Sequence, residues 1–264
     1  MRYVRIFLLN LEHIFENRAR SFVWFLIPLI SSSLLLLFWN GALGNKNLVA
    51  GWNFQSFATY YLLLLIASSL LMSHIEENVG IEDIRQGQLA MFITKPFSYF
   101  WLRFFSEIPF RILQGFYGII VLILAALFLK SLLNLQLSWQ TLLISLTMAI
   151  LAYFISFIFK MVMGLIAFWL IDINGIFQLF EIIIVLFGGY VAPLAVLPNF
   201  LSETAKFLPF AYMIYFPIIS FQGKLNFQES FQILSIQVFW ILVFALTYRF
   251  LWNKGLQKFT GVGQ

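Results

Sequence analysis

The chain has no cysteine among its 264 residues, which excludes disulfides, thiol nucleophiles and cysteine-ligated metals. It is also poor in charge. Only 10% of residues are Asp, Glu, Lys or Arg, against 62% hydrophobic, a balance outside the range of soluble globular domains. No G-x-x-x-x-G-K-[ST] phosphate loop, no H-E-x-x-H and no G-x-S-x-G occurs. The two histidines, His13 and His74, have no ligand set around them and read as interfacial polar residues. Catalysis by this chain alone is not expected. The formal charge of +5 does not point to nucleic acid, because the basic residues flank apolar runs instead of forming one dense patch.

What is present is a set of long apolar runs. A hydrocarbon core of about 30 Å needs roughly 20 apolar residues per helix, so the length allows about six spans and no separate soluble domain. The chain reads as an all-α integral membrane protein, a single unit over 1–264. Met1 to Arg20 places Val4, Phe7, Leu8, Leu11, Ile14 and Phe15 at helical spacing, with Arg5, Glu12, His13 and Glu16 opposite. That pattern is an interfacial amphipathic helix. It lacks the order of a signal peptide and is expected to stay attached.

The spans are expected at Ser21–Trp39, kinked at Pro28, and at Phe57–Ser73, Gln114–Leu129, Trp139–Leu170 and Ile233–Trp252, with a short one between the last two. A helix carrying Arg103, Glu107, Pro109 and Arg111 is expected to skim the interface before the third. Lys160 interrupts the fourth, whose length asks for a tilt. Asp172-Ile173-Asn174-Gly175 then reads as a turn. The short fifth span, Ile176 to Phe187, meets Gly188-Gly189 after about twelve residues, or ~18 Å of helix. The following stretch, 190–210, is too apolar for an ordinary loop and too rich in proline, with Pro193, Pro198 and Pro209, for one helix. It fits a re-entrant pair of short helices, covered by protein or lining a cavity, or equally an external cap on the interface.

Lys and Arg counts set the orientation. With the N-terminus inside, Arg2, Arg5, Arg18, Arg20, Arg85, Lys95, Arg103, Arg111, Lys160, Arg249, Lys254 and Lys258 are cytoplasmic, and Lys46, Lys130, Lys206 and Lys224 external. Both termini and the charged insert at 74–98 then face the cytosol. Within the insert, Ile81 to Leu89 is expected to be a short helix with Glu82, Asp83, Arg85 and Gln86 outward, stopped by Gly87 and then Pro96. It suits docking into a groove of a soluble partner, or is a solvated connection. Glu181 stands out as the acidic residue well inside a span, a functional candidate by default. Asn174, Gln178, Glu181, Val185 and Gly188 share one helical face and could line a route. Glu181 could instead bond Ser31, Ser32, Ser68 or Tyr61. The 33 phenylalanines are expected to pack spans and face lipid.

The order of these features resembles the permease subunit of a type-2 ABC exporter. The stretches that carry the resemblance are "IRQGQLAMFITKPFSYF" in the insert, "FWLIDINGI" at 168–176, "GGYVAPLAVLP" at 188–198, "LPFAYMIYFP" at 208–217 and the tail "LQKFTGVGQ". The resemblance implies a permease that pairs with a second copy or a homologous permease, bound to two copies of a cytosolic ATPase. ATP and Mg would sit on that partner, and no cofactor or metal on this chain. It further implies that Ile81, Glu82, Asp83, Ile84, Arg85, Gln86, Gly87, Gln88 and Leu89 form the coupling helix. Tyr190, Pro193 and Pro198 would belong to external gate helices and 1–20 to a connecting helix, all in a plasma membrane, that of a bacterium. The substrate does not follow from the fold. Readings from other classes are an ATPase-independent secondary transporter or channel, whose internal repeats and several intramembrane charges are not evident, and a membrane scaffold that recruits a soluble partner.

The charge bias generates a topology test. Reporter fusions after Asn134 and Phe227 are expected to be external, and those after Thr94 and at Gln264 cytoplasmic. An external C-terminus would make the span count odd and reverse the argument.

Overall fold

The computed structural model describes residues 2–44, 48–128, 133 and 138–259. Lys46, Lys130, Leu129, Asn134 and the end of the tail from Thr260 lie outside the described residues. The chain is all helical, without a β-strand among the described residues. Five helices are long and apolar enough to cross a bilayer: α2 (Arg18–Leu43), α3 (Phe54–Leu71), α5 (Tyr99–Phe128), α6 (Trp139–Leu165, prolonged by a 3₁₀ turn to Phe168) and α11 (Phe227–Leu256). The sixth expected span is α7 (Asn174–Phe187), whose 14 residues give about 21 Å, short of the ~30 Å hydrocarbon core.

The shorter helices sit at the two ends of the bundle. α1 (Arg2–Glu16) precedes α2, and α4 (Leu89–Ile93) follows the insert. α8 (Asn199–Phe207), α9 (Phe210–Met213) and α10 (Tyr215–Phe221) fill the stretch between α7 and α11. Helix starts follow their capping residues. Asn53 accepts from Ser56 N at 2.8 Å, Ser138 from Thr141 N at 3.1 Å, and Asn226 with Glu229 forms a reciprocal capping box at the head of α11.

The core lies between α3, α5, α6, α10 and α11. Aromatic rings fill much of it: Phe104 stacks on Phe154 at 5.3 Å and meets Phe157 edge-on at 5.2 Å, while phenylalanines such as Phe128 and Phe200 stay exposed. Gln237 of α11 donates to the carbonyls of Met148 and Tyr212 at 3.1 and 2.9 Å, tying α11 to α6 and α9.

One end of the bundle gathers α1, the insert and the close of α11. Tyr3 stacks on Phe105 at 5.4 Å, Tyr99 on Trp252 at 4.8 Å, and Phe168 meets Phe259 at 6.2 Å. At the other end Lys224 sits over the Trp52 ring at 3.0 Å, where burial pushes its ammonium down to about 8.

Several expectations need correction. The segment with Arg103, Glu107, Pro109 and Arg111 is no separate interfacial helix but the first half of the 30-residue α5, with Pro109 inside it. Its charges can enter the bundle because they are paired there, with Glu107 7% and Arg111 6% exposed. Lys160 is likewise no surface topology charge, being 2% exposed and paired within the bundle. The turn at 172–175 is shorter than expected: α7 already begins at Asn174, whose N–H is taken by Asp172 Oδ1 at 3.2 Å.

Two glycines let the insert lie directly on α6. A Cβ on Gly164 would stand 2.6 Å from Val79 Cβ and 3.1 Å from the Glu76 carbonyl, and one on Gly80 would meet the Gly164 carbonyl at 3.2 Å. Gly164→Ala is therefore expected to destabilise the fold by about 1–3 kcal/mol through overpacking. Adding Val79→Gly, which removes the opposing Cβ, should recover part of the loss, read as the thermal unfolding midpoint in detergent. A single substitution without effect would contradict the close contact.

Candidate functional site

α3 stops at Leu71, and Met72 is extended (φ −86°, ψ 115°), so the chain leaves the helix inside a largely apolar surround with free backbone donors. Side chains from α5 and α6 take them. Ser73 N–H donates to Ser156 Oγ at 2.8 Å and His74 N–H to Glu107 Oε1 at 3.0 Å. Glu107 also accepts from Ser73 Oγ at 2.8 Å, Tyr153 Oη at 3.4 Å and Arg111 Nε at 3.1 Å, and Arg111 reaches back to the Ser69 carbonyl at 3.5 Å. Glu107 is thus an acidic residue inside a spanning helix, so Glu181 is not alone in that respect.

Three residues further on, Glu76 meets Lys160 of α6 at 2.6 Å, and the same ammonium is bound by Glu181 of α7. The side chains of Lys160 and Glu76 are 3% and 7% exposed, that of Glu181 is 40% exposed. One cation therefore joins the start of the insert, α6 and α7. Neither Ser31, Ser32, Ser68 nor Tyr61 partners Glu181: the Ser31 and Ser68 hydroxyls donate to Pro28 and Leu65 carbonyls, and Tyr61 Oη donates to the Val191 carbonyl. Lys160 and Glu76 lie 84 positions apart, a pairing that only the fold creates.

The insert itself is a wide, π-type helical turn over Asn78–Arg85, closed by Gln86 N–H on the Ile81 carbonyl at 2.9 Å. It does not run on as one helix to Leu89. Gln86 to Gln88 break it, with Gly87 at φ +78° as the expected stop, and Leu89 opens α4. The outward face also differs from expectation. Asp83 is fully buried: its carboxylate accepts from Arg103 Nε at 2.7 Å, from Arg103 Nη2 and from the Tyr99 hydroxyl. Burial pushes the Asp83 carboxyl above its usual value, against the opposing pull of Arg103 and Tyr99. Ile84 and Leu89 are also buried, and Ile81, Glu82, Gly87 and Gln88 half-buried, with Glu82 accepting from Asn78 at 2.8 Å. Arg85 folds back to donate to the Leu170 carbonyl. Gln86 is the exposed tip.

On α7, Asn174, Gln178 and Val185 are exposed, Glu181 is half-exposed and Gly188 is buried, while Phe177 and Ile184 pack inward. Asn174, Gln178, Glu181 and Val185 thus share a face that this chain leaves open, whereas Gly188, the fifth expected member, is buried past the end of the helix. Beyond α7, Gly189 at φ +88° turns the chain, and Tyr60 Oη donates to its carbonyl at 2.7 Å. Trp39 Nε1 donates to Tyr61 Oη at 2.7 Å. Tyr190 is half-buried, Pro193 buried and Pro198 exposed just before α8. The tyrosine clamp from α3 had no signal in the sequence beyond the adjacent pair Tyr60-Tyr61. Among the described residues no group of His, Asp and Glu is arranged to hold a metal ion.

Residues 29–263 match the family model described as ABC-2 family transporter protein. Comparison with curated proteins finds no match.

The shared cation generates an ordered pair of outcomes. Lys160→Met would leave Glu76 buried without its counter-charge and is expected to cost about 3–5 kcal/mol of stability. Glu181→Gln keeps the Lys160–Glu76 pair and removes a half-exposed charge, for an expected cost below about 1 kcal/mol. Thermal unfolding in detergent reads both, and equal losses would make Glu181 a structural member of the cluster.

Proposed function

The chain belongs to the ABC-2 transporter family and is a membrane permease component of an ABC transporter, and from that premise we propose that it forms half of an ATP-driven exporter. A second permease copy or a homologous permease completes the pathway, and two copies of a cytosolic ATPase bind ATP and Mg and carry out hydrolysis. The membrane is the bacterial plasma membrane, with both termini and the insert cytoplasmic.

The observation that carries this reading is the way the insert is fastened. A coupling element must move as one body with the helices it drives. Asp83 grips Arg103 and Tyr99 of α5, Gly80 and Val79 lie on Gly164 of α6, and Glu76 meets Lys160, while the tip at Gln86 stays open. Pushing on that tip displaces α5 and α6 directly. Ile81 to Leu89 serves as the coupling segment in two roles: Asp83, Ile84 and Leu89 anchor it, and Gln86, Gly87 and Gln88, with Glu82 at the edge, meet the ATPase. The grouping of α1, the insert and the end of α11 at one pole supports a common cytoplasmic side.

The open face of α7 suits the dimer axis. Leu179 and Ile182 are 55% and 65% exposed beside the polar stripe, an apolar rim that a second permease would cover. Asn174, Gln178, Glu181 and Val185 then line the route, and Lys160 holds the Glu181 carboxylate at its wall. Tyr190, Pro193 and Pro198 form part of the external gate, hung from α3 by Tyr60 and Tyr61.

Two variants test the coupling assignment with the co-expressed ATPase. Gln86→Trp adds bulk at the exposed tip, and Gly87→Val forces a β-branched residue into a left-handed backbone. Both are expected to leave insertion and permease pairing intact and to reduce ATPase copurification about tenfold, equivalent to about 1.4 kcal/mol, with loss of transport in vesicles. Full binding and full transport in both variants would return the insert to a solvated connection.

A further inference from the structure

Where α1, α4 and the start of α5 meet, a cleft of about 460 Å³ opens to the outside. Ile6 and Leu9 of α1 and Phe92 of α4 supply apolar wall, and Arg5, Lys95 and Arg103 supply the charge. Two of these cations crowd one ring: Lys95 Nζ lies 5.7 Å and the Arg103 guanidinium 5.1 Å from the Phe92 centroid. Asp83 answers Arg103 from behind. Arg5 and Lys95 form no ion pair among the described residues, and no carboxylate lines the cleft. Two like charges thus converge on a recess that leaves them unneutralised.

The setting identifies the missing anion. α1 exposes Val4, Leu8 and Leu9 at 58%, 48% and 56% beside the cleft mouth, apolar surface that needs the acyl boundary of a bilayer. A ligand that fits must carry negative charge at its head and hydrocarbon behind it. We propose that this cleft binds the phosphate of an anionic lipid headgroup, with Arg5 and Lys95 on the phosphate and the acyl chain laid along Leu9, Ile6 and Phe92. The lipid fastens α1 to α4 and α5 next to the Asp83–Arg103 clamp. The inference concerns a resident lipid of the permease and is independent of the exported substrate.

The experiment uses the full chain in detergent and native mass spectrometry of bound lipid after exposure to phosphatidylglycerol or phosphatidylcholine. Wild type should retain phosphatidylglycerol in preference to phosphatidylcholine. Arg5→Gln with Lys95→Gln should lower that retention about 25-fold, since each juxtamembrane cation contributes on the order of fivefold. Arg5→Lys with Lys95→Arg should restore it, which separates charge from misfolding. Arg249→Gln with Lys254→Gln, neutralising exposed cations elsewhere, should leave it unchanged. Equal retention of the two lipids, or equal losses in the two neutralised pairs, would overturn the site. Displacement of phosphatidylglycerol by inorganic phosphate at comparable concentration would replace the lipid by a free anion and overturn the proposal as well.

Discussion

The structure depends on the pairing of charges that the surrounding apolar matter would otherwise reject. An ion moved into such a medium costs several kcal/mol even after relaxation, and the cost is offset only by a partner in good geometry. Lys160 is the clearest case. Placed in the middle of α6, it is tolerable because Glu76 and Glu181 converge on it from the insert and from α7. The same requirement fixes where those two elements can lie. A displaced α7 would strip Lys160 of its second carboxylate, and a shifted insert would part it from the buried Glu76.

The break after α3 follows the same logic with backbone groups. The non-helical stretch from the extended Met72 leaves the N–H groups of Ser73 and His74 without a helix partner, and Ser156 and Glu107 accept them. Arg111, one turn along α5, holds Glu107 in place as that acceptor. The insert therefore departs from a rigid base, and its far part is held by Asp83 on Arg103 and by glycine contacts on α6. Satisfying buried polar groups and fixing the insert rigidly on α5 and α6 are here the same act.

The stretch beyond α7 uses hydrogen bonds between neutral groups for a parallel purpose. Gly189 turns α7 away from a full crossing, and the hydroxyls of Tyr60 and Tyr61 take the carbonyls at 189 and 191 that the turn exposes. The segment beyond can stay irregular because α3 supplies its donors. The short α7 is held at its middle by Lys160 on Glu181 and just beyond its end by Tyr60 and Tyr61, and it leaves a polar and apolar face open.

The sequence by itself determined the membrane class, the positions of α2, α3, α6 and α11, the shortness of α7 and the break at Gly87. Each of these rests on local properties: apolar length against bilayer thickness, and the conformations open to glycine. The family also followed, from short stretches in a fixed order. The sequence could not show that α5 is one helix from Tyr99, because Arg103, Glu107 and Arg111 look like interfacial charges until their partners are known. It could not show that Asp83 faces inward or that Glu181 meets Lys160, since the partners lie 20 and 21 positions away and on other elements. The tertiary structure decided which charges are buried, because burial of an ion depends on the distance to its counter-charge, and that distance is set only when the helices have packed.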